Sequence, residues 1–239
     1  MKGNDLRKLS KIDFNSFYLA LIKKEKRKSL RICDYGCGNG DFVIKARSLG
    51  YKNTVGYDIQ RFWDQKLEGT LKLIEPKEIL FEKFDIVLSN QVFEHVSDHD
   101  NYLKNCFRMT KRDGLVIISF PPKDVWLEPH LFFPFIHRFS PEKTIVKIFL
   151  IASYLLSGKI FVKNTSIMEW LENRRLYLQN EVNYLWRREA EEKLKRHGFT
   201  FTDITEDVVK ARYSKFGQLL IKCLGGWRLI GITLILKKI

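Results

Sequence analysis

Residues 30–49 read LRICDYGCGNGDFVIKARSL and carry the strongest structural signal in the chain. The apolar segment Leu30–Tyr35 has the composition of a short buried strand. Three glycines at alternate positions follow within residues 36–40, and glycine lets a backbone turn sharply and approach a ligand closely. Apolar residues then recur at helical spacing over Asp41–Leu49. A strand, a glycine turn and a helix in this order are typical of a unit that binds a nucleoside-containing cofactor.

The alternation of strands and helices continues along the chain. The pattern predicts helices over residues 13–27, 41–49, 98–111 and 180–197, and strands over residues 30–35, 54–57, 71–74, 84–89, 115–120, 199–205 and 229–237. Short apolar strands that alternate with helices indicate a doubly wound α/β fold with a mainly parallel sheet. Between Pro121 and Ile167 the pattern breaks, and five prolines punctuate an aromatic-rich stretch. That stretch is predicted to be an insertion after the fifth strand.

The length of 239 residues suits a single domain with a substantial core. We expect four parts within it: an N-terminal helical segment (1–29), a cofactor-binding core (30–122), a substrate-lid insertion (123–180) and a C-terminal segment of helix and strands (181–239). No apolar run reaches the roughly 20 residues that a membrane span needs, and the N-terminus lacks a signal-peptide core. Without secretion, we expect the four cysteines to be reduced thiols, and no residue spacing indicates a metal site.

The composition is that of an ordinary globular protein, with 45% apolar and 29% charged residues, which argues against disorder and a disulfide scaffold. The formal net charge is +14, and its excess lies at the two ends. Residues 1–30 hold nine basic and three acidic side chains, and residues 207–239 hold seven and one. Residues 31–120 hold thirteen of each. The charge favours an anionic surface or substrate near the chain ends, and the balanced middle weakens the case for nucleic acid.

Acidic residues around the glycine turn narrow the choice of cofactor. Asp58 follows Gly36 by 22 positions, at the end of the second predicted strand, where a carboxylate can accept hydrogen bonds from ribose hydroxyls. A dinucleotide fingerprint would place glycine at position 41, but Asp41 stands there, and Asp34 adds another negative charge. Carboxylates disfavour a pyrophosphate. A cofactor with a positively charged end and no phosphate, S-adenosylmethionine, therefore fits better.

Three segments resemble motifs of the class I S-adenosylmethionine-dependent methyltransferases: residues 34–40, residues 84–96 and residues 113–115. The chain is similar to their type 11 group, including members found with glycan and polysaccharide biosynthesis. The resemblance implies a Rossmann-like fold with a mainly parallel seven-stranded sheet, and S-adenosyl-L-methionine as cofactor. The cofactor-binding residues that it implies are Asp34, Gly36, Cys37, Gly38, Asn39, Gly40, Asp58, Ile59, Ile74, Glu75, Asn90 and Gln91.

A hydroxyl acceptor requires a base, and histidine titrates near neutral pH. His130, in the loop after the fifth predicted strand, is the first catalytic candidate, and His95, just after the fourth, is the second. Simpler interpretations are packing in an aromatic lid for His130 and a backbone-bonded helix start for His95. His99 is expected to be solvated and His197 to end a helix. The residues expected to bind the substrate are Glu94, Trp126, Glu128 and His137.

We therefore expect a methyltransferase that O-methylates a saccharide or a lipid-linked glycan. Methylation of RNA, or of a small lipid or quinone-like acceptor, is an alternative, and a non-catalytic membrane-associated binding protein of the same fold is a third. Residues 143–163 hold four lysines and no acid around an apolar centre, which suits an interfacial membrane segment or a buried helix with solvated lysines. The expected location is cytoplasmic, peripheral to the inner face of the membrane.

Overall fold

The computed structural model describes residues 13–75, 78, 81–128, 133–154, 166–223 and 225–239, with the backbone alone at residues 127, 128, 133, 134, 153, 220, 227 and 230. The strands are β1 (Ile32–Tyr35), β2 (Thr54–Asp58), β3 (Leu71–Leu73), β4 (Phe84–Asn90), β5 (Thr110–Phe120), β6 (Leu127–Glu128), β7 (Phe133–Pro134), β8 (Phe199–Asp203) and β9 (Ile232–Lys238). The α-helices are α1 (Phe14–Lys23), α2 (Asp41–Ser48), α3 (His99–Met109), α4 (Thr144–Ser153), α5 (Ile167–Asn180), α6 (Arg187–Arg196), α7 (Thr205–Arg212), α8 (Lys215–Cys223) and α9 (Trp227–Ile230). Short 3-10 helices span Gln65–Leu67, Phe93–His95 and Ile136–Arg138.

The main sheet has seven strands among the described residues, in the order β3-β2-β1-β4-β5-β9-β8. The first five are parallel neighbours, and β9 runs antiparallel to both β5 and β8. The strand order reverses between β1 and β4, and open α/β sheets bind ligands at the carboxyl edge of such a point. The predicted Rossmann-like α/β class with a mainly parallel seven-stranded sheet is confirmed.

Helices cover both faces of the sheet. On one face, α1, α2 and α7 contribute to a core that includes Tyr18 and Val208. On the other face, α3 and α6 contribute to a core that includes Leu103 and Leu194. All four residues of β1 are buried. Because β1 is covered on both faces, the glycine turn that follows it is held at the carboxyl edge.

The insertion after β5 has a small core of its own. Its strands β6 and β7 pair as an antiparallel hairpin, and α4 packs against α5. The buried residues of this core are Ile136, Val146, Leu150, Trp170, Leu178 and Val182. The opposite side of α4 carries Ile145, Ile148 and Ile151, which are 37%, 55% and 41% exposed. The described part of segment 143–163 is thus an amphipathic helix, and residues 155–165 lie outside the described residues.

Several boundaries differ from the sequence prediction. Strand β5 begins at Thr110, five residues before the predicted start at residue 115, because the strand continues through an irregularity between the pairs Thr110–Phe84 and Leu115–Ile86. Of the helix predicted over 180–197, residues Arg187–Arg196 form α6, and residues 181–186 are not helical; α7 and α8 were not predicted. The apolar C-terminal strand, β9, lies inside the sheet as a core strand, as expected.

Within the portion of the chain that the structure describes, no helix combines the length and apolar character needed to cross a membrane.

Candidate functional site

The glycine turn lies at the carboxyl edge, where it is packed at Gly36 and Gly40 and open at Gly38. Gly36 has φ +88°, and a Cβ there would lie 2.2 Å from a methyl of Val92, the second residue after β4. Gly38 has φ +52°, and a Cβ there would meet nothing within 4 Å. Both residues adopt a backbone conformation that favours glycine. The turn therefore closes against the end of β4 at Gly36 and leaves open space at Gly38.

The Asp58 carboxylate connects the glycine turn to the end of β2. Its Oδ2 accepts a hydrogen bond from the Gly38 backbone N–H at 2.8 Å, and its Oδ1 accepts one from the Gln60 N–H at 3.1 Å. A carboxylate has about four acceptor positions. Asp58 thus keeps acceptor capacity at the edge, where the sequence predicts a ribose diol.

Asp34, the third residue of β1, is a buried carboxyl group beside the turn. It is 5% exposed, and none of the described residues donates a hydrogen bond to its carboxylate. Burial, and secondarily the charge of Asp58, raise the pKa of Asp34 to about 8. A buried carboxyl group of this kind is strongly stabilised as the anion by a cation brought next to it.

These features match the chemistry of S-adenosylmethionine. The ammonium group of its methionine part would supply a cation for Asp34, and its ribose would supply hydroxyls for Asp58. Asp41 at the start of α2 adds a further carboxylate, which would repel the phosphates of a dinucleotide. When bound, the cofactor supplies a methyl group that is already activated on a sulfonium sulfur.

The remaining predicted cofactor residues divide into buried and exposed ones. Cys37 is 7% exposed, and its Sγ packs against Gly56, so burial raises the pKa of its thiol well above the usual range. Gly40 begins α2, and exposed Asn39 accepts a hydrogen bond from the Asp41 N–H at 3.3 Å. Cys37 and Asn39 thereby shape the turn.

The predicted adenine side lies at the ends of β2 and β3. Ile59 is 67% exposed, whereas Ile74 is 4% exposed and part of the core. The Ile74 N–H donates to the Asp58 carbonyl at 2.9 Å, which holds the two strand ends together. Glu75 is exposed, so Ile59 and Glu75 present more surface to a ligand than Ile74 does.

The end of β4 brings Asn90 and Gln91 to the same edge. The Tyr18 hydroxyl donates to Asn90 Oδ1 at 2.9 Å, so the Asn90 amide is oriented by α1. Tyr18 is fully buried, and burial raises its pKa to about 12, which keeps the hydroxyl protonated as a donor. Gln91 has φ +57°, a strained conformation for a residue with a side chain, and such strain clusters at functional sites. Its N–H donates to the Ser119 carbonyl of β5 at 2.8 Å.

Glu94 and His95 follow on the 3-10 helix Phe93–His95. Glu94 is 1% exposed, and His95 Nε2 lies 4.0 Å from Glu94 Oε1. His95 Nδ1 lies 2.6 Å from the Glu181 carbonyl, which can only accept, so Nδ1 carries the donated proton. In the neutral ring the lone pair is therefore on Nε2. The Glu94 carbonyl accepts from the Asn183 N–H at 2.5 Å.

The insertion supplies the rest of the predicted site. His137 is 7% exposed, its Nε2–H donates to the Lys123 carbonyl at 3.2 Å, and burial lowers its pKa to about 4. Its ring packs 5.0 Å from Tyr184, one residue from the Asn183 that binds Glu94. Segment 181–184 thus touches the 3-10 helix on one side and the insertion on the other.

The other insertion residues are less completely described. Trp126 is 38% exposed on the surface of the hairpin. Glu128 is described by its backbone in β6 alone, and His130 lies outside the described residues. The structure thus places the turn, Asp34, Asp58 and Asn90 at the carboxyl edge of the sheet, and the Glu94–His95 pair on the 3-10 helix that follows β4. Sequence reasoning missed Tyr18, because no local pattern connects a tyrosine of α1 with a residue 72 positions later.

The described ranges of the chain contain no group of three or more histidine, cysteine, aspartate or glutamate side chains that could hold a metal ion.

The known proteins that this chain resembles in sequence or in structure are methyltransferases. Residues 8–203 match a family described as a methyltransferase domain. A ubiquinone biosynthesis O-methyltransferase from Chelativorans is 35% identical over 103 residues, which are 38% of this chain and 40% of that protein. A tRNA U34 carboxymethyltransferase from Sulfurimonas denitrificans is 29% identical over 116 residues, 44% of this chain and 39% of that protein. The matches to these curated relatives thus span about two fifths of their length.

Solved structures show the same fold at low identity. An S-adenosylmethionine-dependent methyltransferase from Mesorhizobium loti has a TM-score of 0.52 at 14% identity, with 91% of this chain and 94% of that chain covered. PKMT2 from Rickettsia typhi in complex with AdoHcy has a TM-score of 0.54 at 14% identity, with 88% and 49% covered.

Proposed function

The chain belongs to the methyltransferase-domain family, and we propose that it transfers a methyl group to a hydroxyl of a lipid-borne acceptor, with a lipid-linked saccharide as first candidate. The domain is a methyltransferase domain whose cofactor is S-adenosyl-L-methionine. The proposed cofactor residues are the turn 36–40, Asp34 and Asp58, with Asn90 and Gln91 at the methyl-transfer end. Alignment of donor and acceptor supplies much of the rate in such a reaction.

The observation that carries a hydroxyl acceptor is the orientation of His95. The Glu181 carbonyl holds the Nδ1 proton, so the Nε2 lone pair is the basic position, five residues after Asn90 at the carboxyl edge. As the new O–CH3 bond forms and the C–S bond breaks, Nε2 would take the hydroxyl proton. The nearby Glu94 carboxylate would stabilise the resulting imidazolium. His130 remains a prediction from the sequence.

The lipid-borne character of the acceptor is supported by α4. Its exposed isoleucines, Ile145, Ile148 and Ile151, lie on a helix with Lys143 and Lys147 and without acidic residues, which suits the cytoplasmic face of a membrane. A quinone-like acceptor is the second candidate, because several relatives are named as ubiquinone biosynthesis O-methyltransferases. A nucleic-acid acceptor has weaker support, since residues 31–120 are electrically balanced.

The test separates cofactor binding from catalysis. The protein is incubated with tritiated S-adenosylmethionine and a total lipid extract, and the lipids are then cleaved with mild acid. Tritium that is released into the aqueous phase with a saccharide supports a lipid-linked saccharide as the acceptor. Tritium that stays in the organic phase with an apolar ring supports a quinone-like acceptor.

Variants of two histidines complete the design. His95→Ala should lower methyl transfer by roughly 100-fold or more while thermal stabilisation by S-adenosylhomocysteine is retained. His197→Ala is the matched control, because His197 ends α6 and binds Asp100 at 2.8 Å. Full activity of His95→Ala would remove His95 as the base. Absence of stabilisation of the wild type by millimolar S-adenosylhomocysteine would contradict the cofactor assignment.

A further inference from the structure

Helix α8 exposes a stripe of apolar and basic side chains. Phe216 is 67% exposed and Leu219 is 60% exposed, three positions apart on the helix. Lys215 and Lys222 are exposed at the two ends of the same stripe, while Ile221 is 8% exposed and anchors the opposite side. Large apolar groups on a water-facing helix surface mark an interaction site when they are clustered.

The exposed aromatic residues of the β6–β7 hairpin adjoin the end of α8. Gly225, in the turn after α8, approaches Trp126 so closely that a Cβ there would lie 3.1 Å from the indole ring. The backbone N–H of Trp126 donates to the Arg228 carbonyl at 2.7 Å. The Trp126 ring lies 6.5 Å from the ring of Phe135, and both side chains are 38% exposed. The end of α8 and the hairpin aromatics are therefore neighbours in the fold.

Phe135 is held outward by a strained backbone. Its φ is +61° and its ψ is 0°, the left-handed region that bulky residues avoid. Its N–H donates to the Trp126 carbonyl at 2.8 Å, and the Arg138 guanidinium lies 4.7 Å from its ring. Strain that keeps an aromatic ring at the surface, next to a cation, is better explained by a contact with a partner than by folding.

We propose that α8 and the hairpin aromatics form a docking face for an anionic lipid bilayer. We define this face as Lys215, Phe216, Leu219, Lys222, Trp126 and Phe135. Residues 208–239 contain no acidic side chain, so the face is complementary to negatively charged headgroups. Tryptophan and phenylalanine with basic neighbours favour the boundary between headgroups and acyl chains.

A second copy of the chain fits this face less well, because two such faces would bring lysines against lysines. The proposal deepens the proposed function, on which its biological meaning rests, by naming the surface that would bring the enzyme to a lipid-borne acceptor. With this proposal, α8 and the hairpin join the amphipathic helix α4 as surfaces that would contact the membrane.

The test is flotation of the full chain with phosphatidylcholine vesicles, with and without phosphatidylglycerol. The wild type should float only with the anionic vesicles. Phe216→Ser combined with Leu219→Ser should abolish flotation, and Lys215→Gln combined with Lys222→Gln should weaken binding roughly 25-fold, at about fivefold per lysine. The control is Phe81→Ser, which removes a side chain that is 85% exposed elsewhere.

Each outcome bears on the docking face independently of the chemistry. All variants should keep the thermal shift with S-adenosylhomocysteine, which shows that they are folded and that cofactor binding is intact. Equal flotation of the wild type and the Phe216/Leu219 variant, or none by the wild type, would overturn the proposal. A dimer in sedimentation that this variant abolishes, or binding of RNA by the wild type that this variant loses, would assign the face to another partner.

Discussion

The buried carboxyl group of Asp34 makes a quantitative prediction about cofactor binding. Its pKa is raised to about 8, firstly by burial and secondly by Asp58, so below that pH the group is mostly protonated in the free protein. An ammonium group placed beside it favours the carboxylate. Binding of S-adenosylmethionine or S-adenosylhomocysteine must therefore release a proton from Asp34.

The size of the effect follows from that pKa. For each pH unit below this pKa, ionisation of Asp34 requires about 1.4 kcal/mol more free energy. Ligand affinity then falls by a factor of about ten per pH unit. Between pH 6 and pH 7 the affinity should rise about tenfold, while the ligand's amino group stays protonated. For folding the sign is opposite. The folded-state pKa of Asp34 is raised from 3.8, so the folded protein holds more protons than the unfolded chain between pH 3.8 and about 8. The free energy of unfolding that Asp34 contributes therefore decreases as the pH rises through that window.

Isothermal titration with S-adenosylhomocysteine measures both quantities. Titrations at pH 6 and pH 7, in buffers of different ionisation enthalpy, should give a tenfold change in affinity and release of nearly one proton per site at pH 6. Asp34→Asn should bind more weakly at both values and lose the pH dependence. An affinity that is the same at pH 6 and pH 7, with no proton released, would refute the assignment of Asp34 as the ammonium partner.

Two other regions give distinct expectations. Gly36→Ala should destabilise the fold by about 2 kcal/mol or more, because the added Cβ would lie 2.2 Å from a valine methyl at φ +88°, and urea unfolding measures the loss. Gly38→Ala adds its Cβ to open space, so the variant should fold with a loss of stability of about 1–2 kcal/mol. It should nevertheless lose thermal stabilisation by S-adenosylhomocysteine, because the added methyl group occupies the open space at Gly38. An unchanged thermal shift with the ligand would contradict the assignment of this space to the cofactor. Burial lowers the pKa of His137 from 6.5 to about 4, so between these values the unfolded chain binds the extra proton and His137 lowers the stability as the pH falls. From pH 7 to pH 5 this contribution is about 2 kcal/mol and opposes that of Asp34, so it is measured as the difference between the wild type and His137→Gln. The same pH dependence of stability in both proteins would count against a buried neutral imidazole.

The sequence predicted best where the signal was local. The unit formed by β1, the glycine turn and α2 was correct to within two residues at each end, because strand composition, glycine spacing and helical periodicity agreed over residues 30–49. The start of β5 was predicted at residue 115, five residues late, because the pairing of β4 with β5 continues through an irregularity to Thr110. Local turn chemistry could not reveal that pairing.

Tertiary contacts account for what sequence reasoning missed. His99 was expected to be solvated, but it is 7% exposed, since its ring packs 4.7 Å from Phe93 and its Nε2–H donates to the Phe93 carbonyl. Tyr18 reaches Asn90 across 72 positions of sequence. His197, by contrast, ends α6 as predicted, because helix ends are marked locally by a glycine such as Gly198. Side-chain roles that depend on distant partners required the fold.

Segment 181–184 connects the insertion to the 3-10 helix Phe93–His95 through direct contacts. The Glu181 carbonyl accepts the Nδ1 proton of His95 and so fixes its tautomer. The Asn183 N–H donates to the Glu94 carbonyl and so holds the 3-10 helix in place. On its other side, Tyr184 packs on His137 of the insertion. A displacement of the insertion would therefore reach His95 through a few direct contacts, whereas Asp34 lies in β1 and Asp58 ends β2 and binds the Gly38 N–H. This separation allows the acceptor-binding part of the molecule to vary while the cofactor site stays the same, as fits a family whose named relatives act on different acceptors.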